Sequence, residues 1–247
     1  SLLTDTTFEP RPGVVIGHNA SIAWGVTNFG PDVQDLYIEQ FDASGSKYLA
    51  DGVWRDADVR TESIRVRRGR VATDCDDRTV EVVMTRHGPI VKEDGARRYA
   101  LRWTALDPVS ELTAFYLLNR ATGWDAFQSA LATYPGPMQN FVYADTAGNI
   151  GYTAAGLVPI RRTGLGDKPY DGTRDDGEWT GFVPFAALPH AFNPASGFIA
   201  TANNRVLGSS VTEFYTNEWI SPYRANRITA LLAAGTHLAP ADMNTIQ

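Results

Sequence analysis

Up to about residue 107 the chain is written mostly in period two. TESIRVR at 61–67 sets polar and apolar side chains on alternate positions, the spacing of a half-buried strand. TVEVVMT at 79–85 adds a β-branched run that ends at His87, Gly88 and Pro89. Asp51 with Gly52, and Asp94 with Gly95, each stand between short runs and predict tight hairpins. Residues 14–40, VVIGHNASIAWGVTNFGPDVQDLYIEQ, predict strand, turn and strand: an apolar run at 14–16 stops on Gly17 and another resumes at 22–26. Beyond Pro108 the period changes. ELTAFYLLNR and WDAFQSALAT space their apolar residues three to four apart and predict a helical pair over 111–133. Residues 139–205 return to strands, first around a turn at 146–149 and later as GFIATANNRV, a strand running into Asn203 and Asn204. Between them, residues 164–179 form a glycine-rich, acidic, aperiodic stretch that reads as a long surface loop. A helix over 224–234 is closed by Gly235, and a last one starts near Asp242. The fold class expected is α+β, an antiparallel β-rich domain over 1–247 that is cut at both ends.

Composition narrows the function classes. With 43% hydrophobic and 20% charged residues among 247, a packed core is expected. A formal net charge of −6 leaves no basic footprint for nucleic acid or an anionic membrane surface, so neither is expected as a partner. Cys75 is alone, and the acidic neighbours in TDCDDR oppose thiolate formation.

The chemistry-bearing residues are few. A Ser-His-Asp triad needs a serine on a nucleophile elbow, and no G-x-S-x-G occurs. His87, His190 and His237 have no evident serine partner and read as structural. Neither HExxH nor CxxC is present, so a catalytic zinc is not suggested. Asp32 and Asp35 stand three apart around a bend, which lets two carboxylates and an intervening carbonyl face one hard cation; an Asx turn accounts for them equally. Asn28 lies just past a strand end, on the kind of polar loop where binding and catalysis concentrate. An asparagine amide donates hydrogen bonds without titrating, so Asn203 or Asn204 suits an oxyanion site, and the tolerance of asparagine for left-handed backbone makes a plain turn the equal reading. Asn19 to Ser21 is a glycosylation sequon, relevant only to a chain secreted through a eukaryotic pathway.

GHNASIAWGVTN, DVQDLYIE, TRHGPIV, FVYADTAGNIGY, and SGFIATANNRV followed by YRANRI together resemble the penicillin acylase (penicillin amidase) family, in the family's order and across nearly the whole chain. These are N-terminal nucleophile hydrolases, made as precursors that cut themselves to expose a catalytic serine. The resemblance implies a four-layer α/β/β/α fold and cleavage of the amide between an acyl group and an amine. The α-amino group of an N-terminal serine, with a pKa of about 7.7 to 8.0, is its own base, so no histidine is needed. Carried over by motif, Asn203 supplies an oxyanion amide, Asn28 a backbone N–H, and Arg227 the catalytic-region arginine. Ile16 and Val26 fall on acyl-pocket positions. Asp32, Asp35 and the carbonyl of Gln34 fall on ligands of one structural calcium ion; no organic cofactor is implied. The implied partners are a small N-acyl substrate and the α chain and remaining β chain of the same precursor, in a periplasmic or secreted parent. Penicillins, cephalosporin side chains, acyl homoserine lactones and lipopeptides are all substrates of similar enzymes.

Three positions depart from the family. Some members have alanine at Asn28, which leaves a backbone role intact. Phe214, with Glu213 beside it, stands where a later acidic calcium ligand is expected. The family's nucleophile lies several dozen residues before the GHN motif, whereas seventeen residues precede His18 here, and Ser1 matches an interior position. Ser1 is therefore not expected to be the nucleophile, and this stretch of β subunit is expected to be inactive alone. The competing reading is a non-catalytic β-rich binding module whose acidic loop and aromatic residues engage a carbohydrate. Convergence of the Asn28 N–H and the Asn203 amide on one point separates the two.

Overall fold

The computed structural model describes residues 4–5, 13–70, 74–107, 109–208 and 213–246; Ser1 lies outside the described residues. The chain gathers into two compact units, each drawn from separate stretches of sequence. One comprises Ser1–Asp32, Pro108–Pro159 and Phe182–Gln247, the other Val33–Asp107 and Ile160–Gly181.

In the first unit six strands form an antiparallel sheet in the order Thr4–Asp5, Gly17–His18, Ile22–Asn28, Gln139–Asp145, Ile150–Ala155, His190–Phe192. Alternation sends Ile22, Trp24 and Val26 to one face. That face packs against two helices, Leu112–Leu118 and Trp124–Leu131, through Phe115, Leu118, Phe127 and Leu131, whose spacing of three and four is that of an apolar helix stripe. Gly151 makes room for this packing: a Cβ there would collide with the Trp124 ring.

Two strands expected here do not form. The apolar run at 14–16 is not a strand, because the backbone of Val14 pairs with a side chain. Asn119, 8% exposed, accepts the Val14 N–H at 2.7 Å and donates to the Val14 carbonyl at 2.7 Å. Pairing begins only at Gly17–His18. The segment 198–203 is irregular and has no ladder partner among the described residues; one bridge, Asn204 to Ile220, follows it. The sequon amide is also committed. Asn19 Oδ1 accepts the N–H groups of Ser21 and Ile22, and its Nδ2 donates to the carbonyls of Asn119 and Ala121.

The second unit is a six-stranded sheet in the order Tyr170–Asp171, Gln34–Glu39, Arg97–Trp103, Gly88–Asp94, Cys75–Thr85, Asp58–Arg67. Beside it the expected hairpin joins Lys47–Ala50 to Val53–Asp56, with Asp51 and Gly52 both at positive φ, as a type I′ turn requires. The Gln34–Glu39 strand is inverted in polarity. Asp35, Tyr37 and Glu39 are at most 2% exposed, while Leu36 on the other face is 36% exposed.

Residues 164–179, expected as a surface loop, pack onto this polar row. Tyr170–Asp171 runs parallel to the strand, Gly172 N–H donates to the Ile38 carbonyl, and the Tyr37 hydroxyl donates to the Gly177 carbonyl at 2.7 Å. A Cβ on Gly172 would lie 2.5 Å from Glu39 Oε2, so the loop needs its glycine to approach so closely. Buried acids draw the chain over themselves because they need donors.

His87 is one such donor. Its ring stacks on Tyr37 with centroids 3.7 Å apart, Nδ1 faces Glu39 Oε1 at 2.7 Å, and Nε2 faces Glu178 Oε1 at 3.0 Å. Carboxylates on both ring nitrogens call for two N–H donors, hence the imidazolium. Burial by itself lowers the imidazole pKa, but the hydrogen bonds to Glu178 and Glu39 outweigh it and the net shift is upward. The His87 hydrogen bond in turn lowers the Glu178 pKa. A raised histidine stabilises fully below its unfolded value, 6.5, and loses that stabilisation as pH rises through its folded value. A depressed glutamate stabilises fully above its unfolded value, 4.5, and loses it as pH falls through its folded value. The cluster is therefore strongest between these two. The stability lost on His87→Gln, measured by urea unfolding, is expected to be larger at about pH 5.5 than at about pH 9. An equal loss at both would show that His87 is not held as the cation.

Candidate active site

Asn28 ends the Ile22–Asn28 strand in the first unit, and its carbonyl is the meeting point of two side-chain amides. Asn203 Nδ2 donates to it at 3.0 Å and Asn140 Nδ2 at 3.3 Å. Asn203 sits at φ +60, the left-handed region that asparagine tolerates, so the turn and the polar site are one feature here. Its neighbour Asn204 braces that turn, accepting the Ala202 N–H at 3.1 Å.

The interior side of the site is built from a buried chain of polar groups. Asn140, fully buried near the start of the Gln139–Asp145 strand, accepts the Tyr152 hydroxyl at 2.6 Å and also donates to Thr27 Oγ1, which pairs with Thr201 Oγ1 at 2.8 Å. A buried amide with each of its groups paired rigidifies what it touches, since any partner lost leaves an unsatisfied group costing about 1–3 kcal/mol. On the solvent side Arg224 Nη2 donates to Asn203 Oδ1 at 2.8 Å.

The structure thus brings Asn28 and Asn203 together. Arg227 is exposed on the Tyr223–Ala234 helix, and it is Arg224, three residues earlier, that reaches Asn203. Val26 packs on the helix-covered core, and Ile16 is half-buried just before Gly17–His18. Neither lines the cavity of about 690 Å³ on the opposite face of the sheet, where Ala23, Gly25 and Ala144 face Leu232 and Leu238. Arg224 and Asn140 were not singled out from sequence. A polar residue at an inward position of QNFVYA was the available signal for Asn140; nothing in YRANRI says which arginine turns toward Asn203.

The cation corner is different. Asp32 belongs to the first unit, half-buried, with its N–H on the Tyr215 carbonyl at 2.7 Å. Asp35 belongs to the second, with its side chain buried; Oδ2 accepts Arg161 Nε at 2.8 Å and also Trp179 Nε1, and Oδ1 has no hydrogen-bond partner. That orphaned oxygen is an acceptor a cation would take, but a guanidinium already meets the charge of the same carboxylate. Gln34 is exposed, Phe214 offers no oxygen ligand from its side chain, and Glu213 is exposed. Among the described residues no three His, Cys, Asp or Glu side chains are grouped to hold a metal. These residues do not fit a calcium ion, which asks for six to eight oxygens.

The family model described as penicillin amidase matches residues 7–247. The chain is 32% identical over 232 residues to penicillin acylase 2 proenzyme of Pseudomonas sp. (strain SE83), covering 93% of this chain and 29% of that protein. It is 31% identical over 239 residues to acyl-homoserine lactone acylase QuiP of Pseudomonas fluorescens (strain Pf0-1), covering 94% and 28%. It is 36% identical over 209 residues to penicillin G acylase of Escherichia coli, covering 82% and 24%. A solved thermostable penicillin G acylase from Alcaligenes faecalis superposes with a TM-score of 0.83 at 27% identity, over 98% of this chain and 43% of that one. The chain therefore spans under a third of the length of these curated relatives and shares the α+β fold of the solved acylase. The chain belongs to the penicillin amidase family.

Proposed function

We propose that this chain is the oxyanion-binding part of an acylase that cleaves the amide between an acyl group and an amine. The observation that carries the proposal is the 3.0 Å contact joining the Asn203 amide to Asn28, which places a neutral side-chain donor at a strand end. In acyl transfer the substrate carbonyl becomes an oxyanion in the transition state, and preorganised neutral donors stabilise it without a change of protonation. Asn203 Nδ2 and the Asn28 N–H take that role here, with Arg227 as a further cation of the site and Ile16 and Val26 as acyl-pocket wall. The nucleophile, an N-terminal serine exposed by self-cleavage of a precursor, and its α-amino base lie in other parts of the parent. The remainder of that precursor is the partner, and the parent is periplasmic or secreted. Calcium is not carried into this proposal, because Arg161 already neutralises Asp35.

The relatives are named for penicillins and for acyl-homoserine lactones, so the substrate class proposed is a small N-acyl compound of one of these kinds. Against the binding-module reading, one acid of the loop, Glu178, is held by His87 and Arg86 rather than offered to a ligand. The full-length processed parent, assayed against penicillins, cephalosporins and acyl-homoserine lactones of graded chain length, is expected to release free amine from at least one class. No amine from any of them would leave the acylase reading without support.

A further inference from the structure

We propose that Thr201 is a specificity-determining residue, whose hydroxyl donates a hydrogen bond to an acceptor oxygen of the substrate outside the scissile amide. The inference deepens the acylase reading and rests on it.

The direction of one hydrogen bond decides the matter. Thr27 Oγ1 and Thr201 Oγ1 stand 2.8 Å apart, and taken alone either hydroxyl is competent to donate. Their neighbours remove the ambiguity. The Asn28 carbonyl can only accept, so the end of the Asn140 amide that faces it at 3.3 Å is the NH2 group. The second hydrogen of that group goes to Thr27 Oγ1 at 3.2 Å, while the amide oxygen takes the Tyr152 hydroxyl. Thr27 Oγ1 thus already accepts, and among the described residues its own proton has Thr201 Oγ1 as acceptor. Donation therefore runs from Tyr152 to Asn140, from Asn140 to Thr27 and from Thr27 to Thr201, each bond polarising the next. The Thr201 hydroxyl ends the chain with a proton that has no acceptor among the described residues.

The sheet register says which face that proton serves. Thr27 pairs with Asn140, and Tyr152 pairs with Val142, two residues on from Asn140. The pleat therefore puts Thr27, Asn140 and Tyr152 on the face of Ala23, Gly25 and Ala144, away from the two helices. Thr201, half-buried, meets Thr27 there from the irregular segment that leads to Asn203. It lines a cavity of about 300 Å³ together with Tyr152, Phe198 and Asn204, and Phe198 also lines the apolar cavity of about 690 Å³. A hydroxyl donor held in one direction beside apolar walls favours a substrate that brings an acceptor to it over one that leaves it unpaired. An oxygen on the acyl part and one on the amine part present the same chemistry.

The test uses the full-length processed parent and pairs of N-acyl substrates that differ by one acceptor oxygen, one pair in the acyl part and one in the amine part. Thr201→Val keeps the shape of the side chain and removes the hydroxyl. It is expected to lower the preference for the acceptor-bearing member, read as a ratio of kcat/KM values, by about three- to tenfold in one of the pairs, the effect of one neutral hydrogen bond. The pair that responds identifies the part of the substrate that carries the acceptor. Thr201→Ser, which restores the donor, is expected to retain the parent's preference. A ratio is read within one preparation, so any damage to the fold or to the Asn203 turn cancels. Preferences within about 1.5-fold of the parent's in both pairs overturn the proposal, whatever the absolute rates, and leave the acylase reading standing. A parent that releases amine from no member of either pair removes the acylase reading and this role together.

Discussion

Asn203→Ala in the full-length parent is expected to lower turnover by about 10²- to 10³-fold, the loss typical of one oxyanion-hole donor. The magnitude comes from what the alanine cannot do. It leaves the developing oxyanion short of one donor in a site whose other groups are already spoken for: Asn140 by Tyr152 and Thr27, and Arg224 by the amide that is gone. Water can enter the space, but it must reorganise during the reaction, whereas the amide is aimed in advance. The effect is expected in kcat more than in KM, because the ground-state carbonyl carries little of the charge. Folding should be little affected, since Asn203 is only partly buried and its turn is braced separately by Asn204. Steady-state kinetics on the variant decide the matter, and turnover near the parent's would refute the assignment.

Arg161→Leu is expected to be the most destabilising single change considered for the second unit, by about 3–5 kcal/mol, because it strands a buried carboxylate. The two side chains of this pair are 4% and 0% exposed, so water cannot take over from the guanidinium. Asp35 Oδ1 already has no partner, which leaves Trp179 as the donor remaining to the carboxylate. The double change Asp35→Leu with Arg161→Leu is expected to be milder than Arg161→Leu alone, since it removes the uncompensated charge as well as its partner. Urea unfolding of the three proteins gives the order directly. A double variant as unstable as the single one would mean that the damage comes from packing rather than charge.

Much of the fold is local and therefore legible in the chain. The Asp51 and Gly52 turn, the strands at 61–67 and 79–85, and the helix stripes at 115, 118, 127 and 131 each follow from neighbours within a few residues, although the strand at 61–67 is exposed on both faces rather than half-buried. What was not legible depends on partners far away in sequence. The run at 14–16 has the composition of a strand, yet its backbone is taken by Asn119, more than a hundred residues on. DVQDLYIE has acids where a half-buried strand should be apolar, and only Arg161, His87 and Trp179 explain why they face inward. Motif matching paired Asn28 with Asn203, and the two residues are in contact, through the Asn28 carbonyl. It named Arg227, whereas Arg224, one turn earlier on much the same helix face, makes the contact with Asn203.

The inward-facing acids of the Gln34–Glu39 strand also set a clock on biosynthesis. Asp35 finds Arg161 only 126 residues later in the chain, and Trp179 only 144 later. At roughly 5–20 residues per second on the ribosome, that separation is roughly 6–25 seconds during which the strand has emerged and its counter-charge has not. The whole of segment 108–159, which belongs to the other unit, is made in the interval. The nascent sheet must therefore wait, with Asp35 unpaired, for the second and later segment of its own unit.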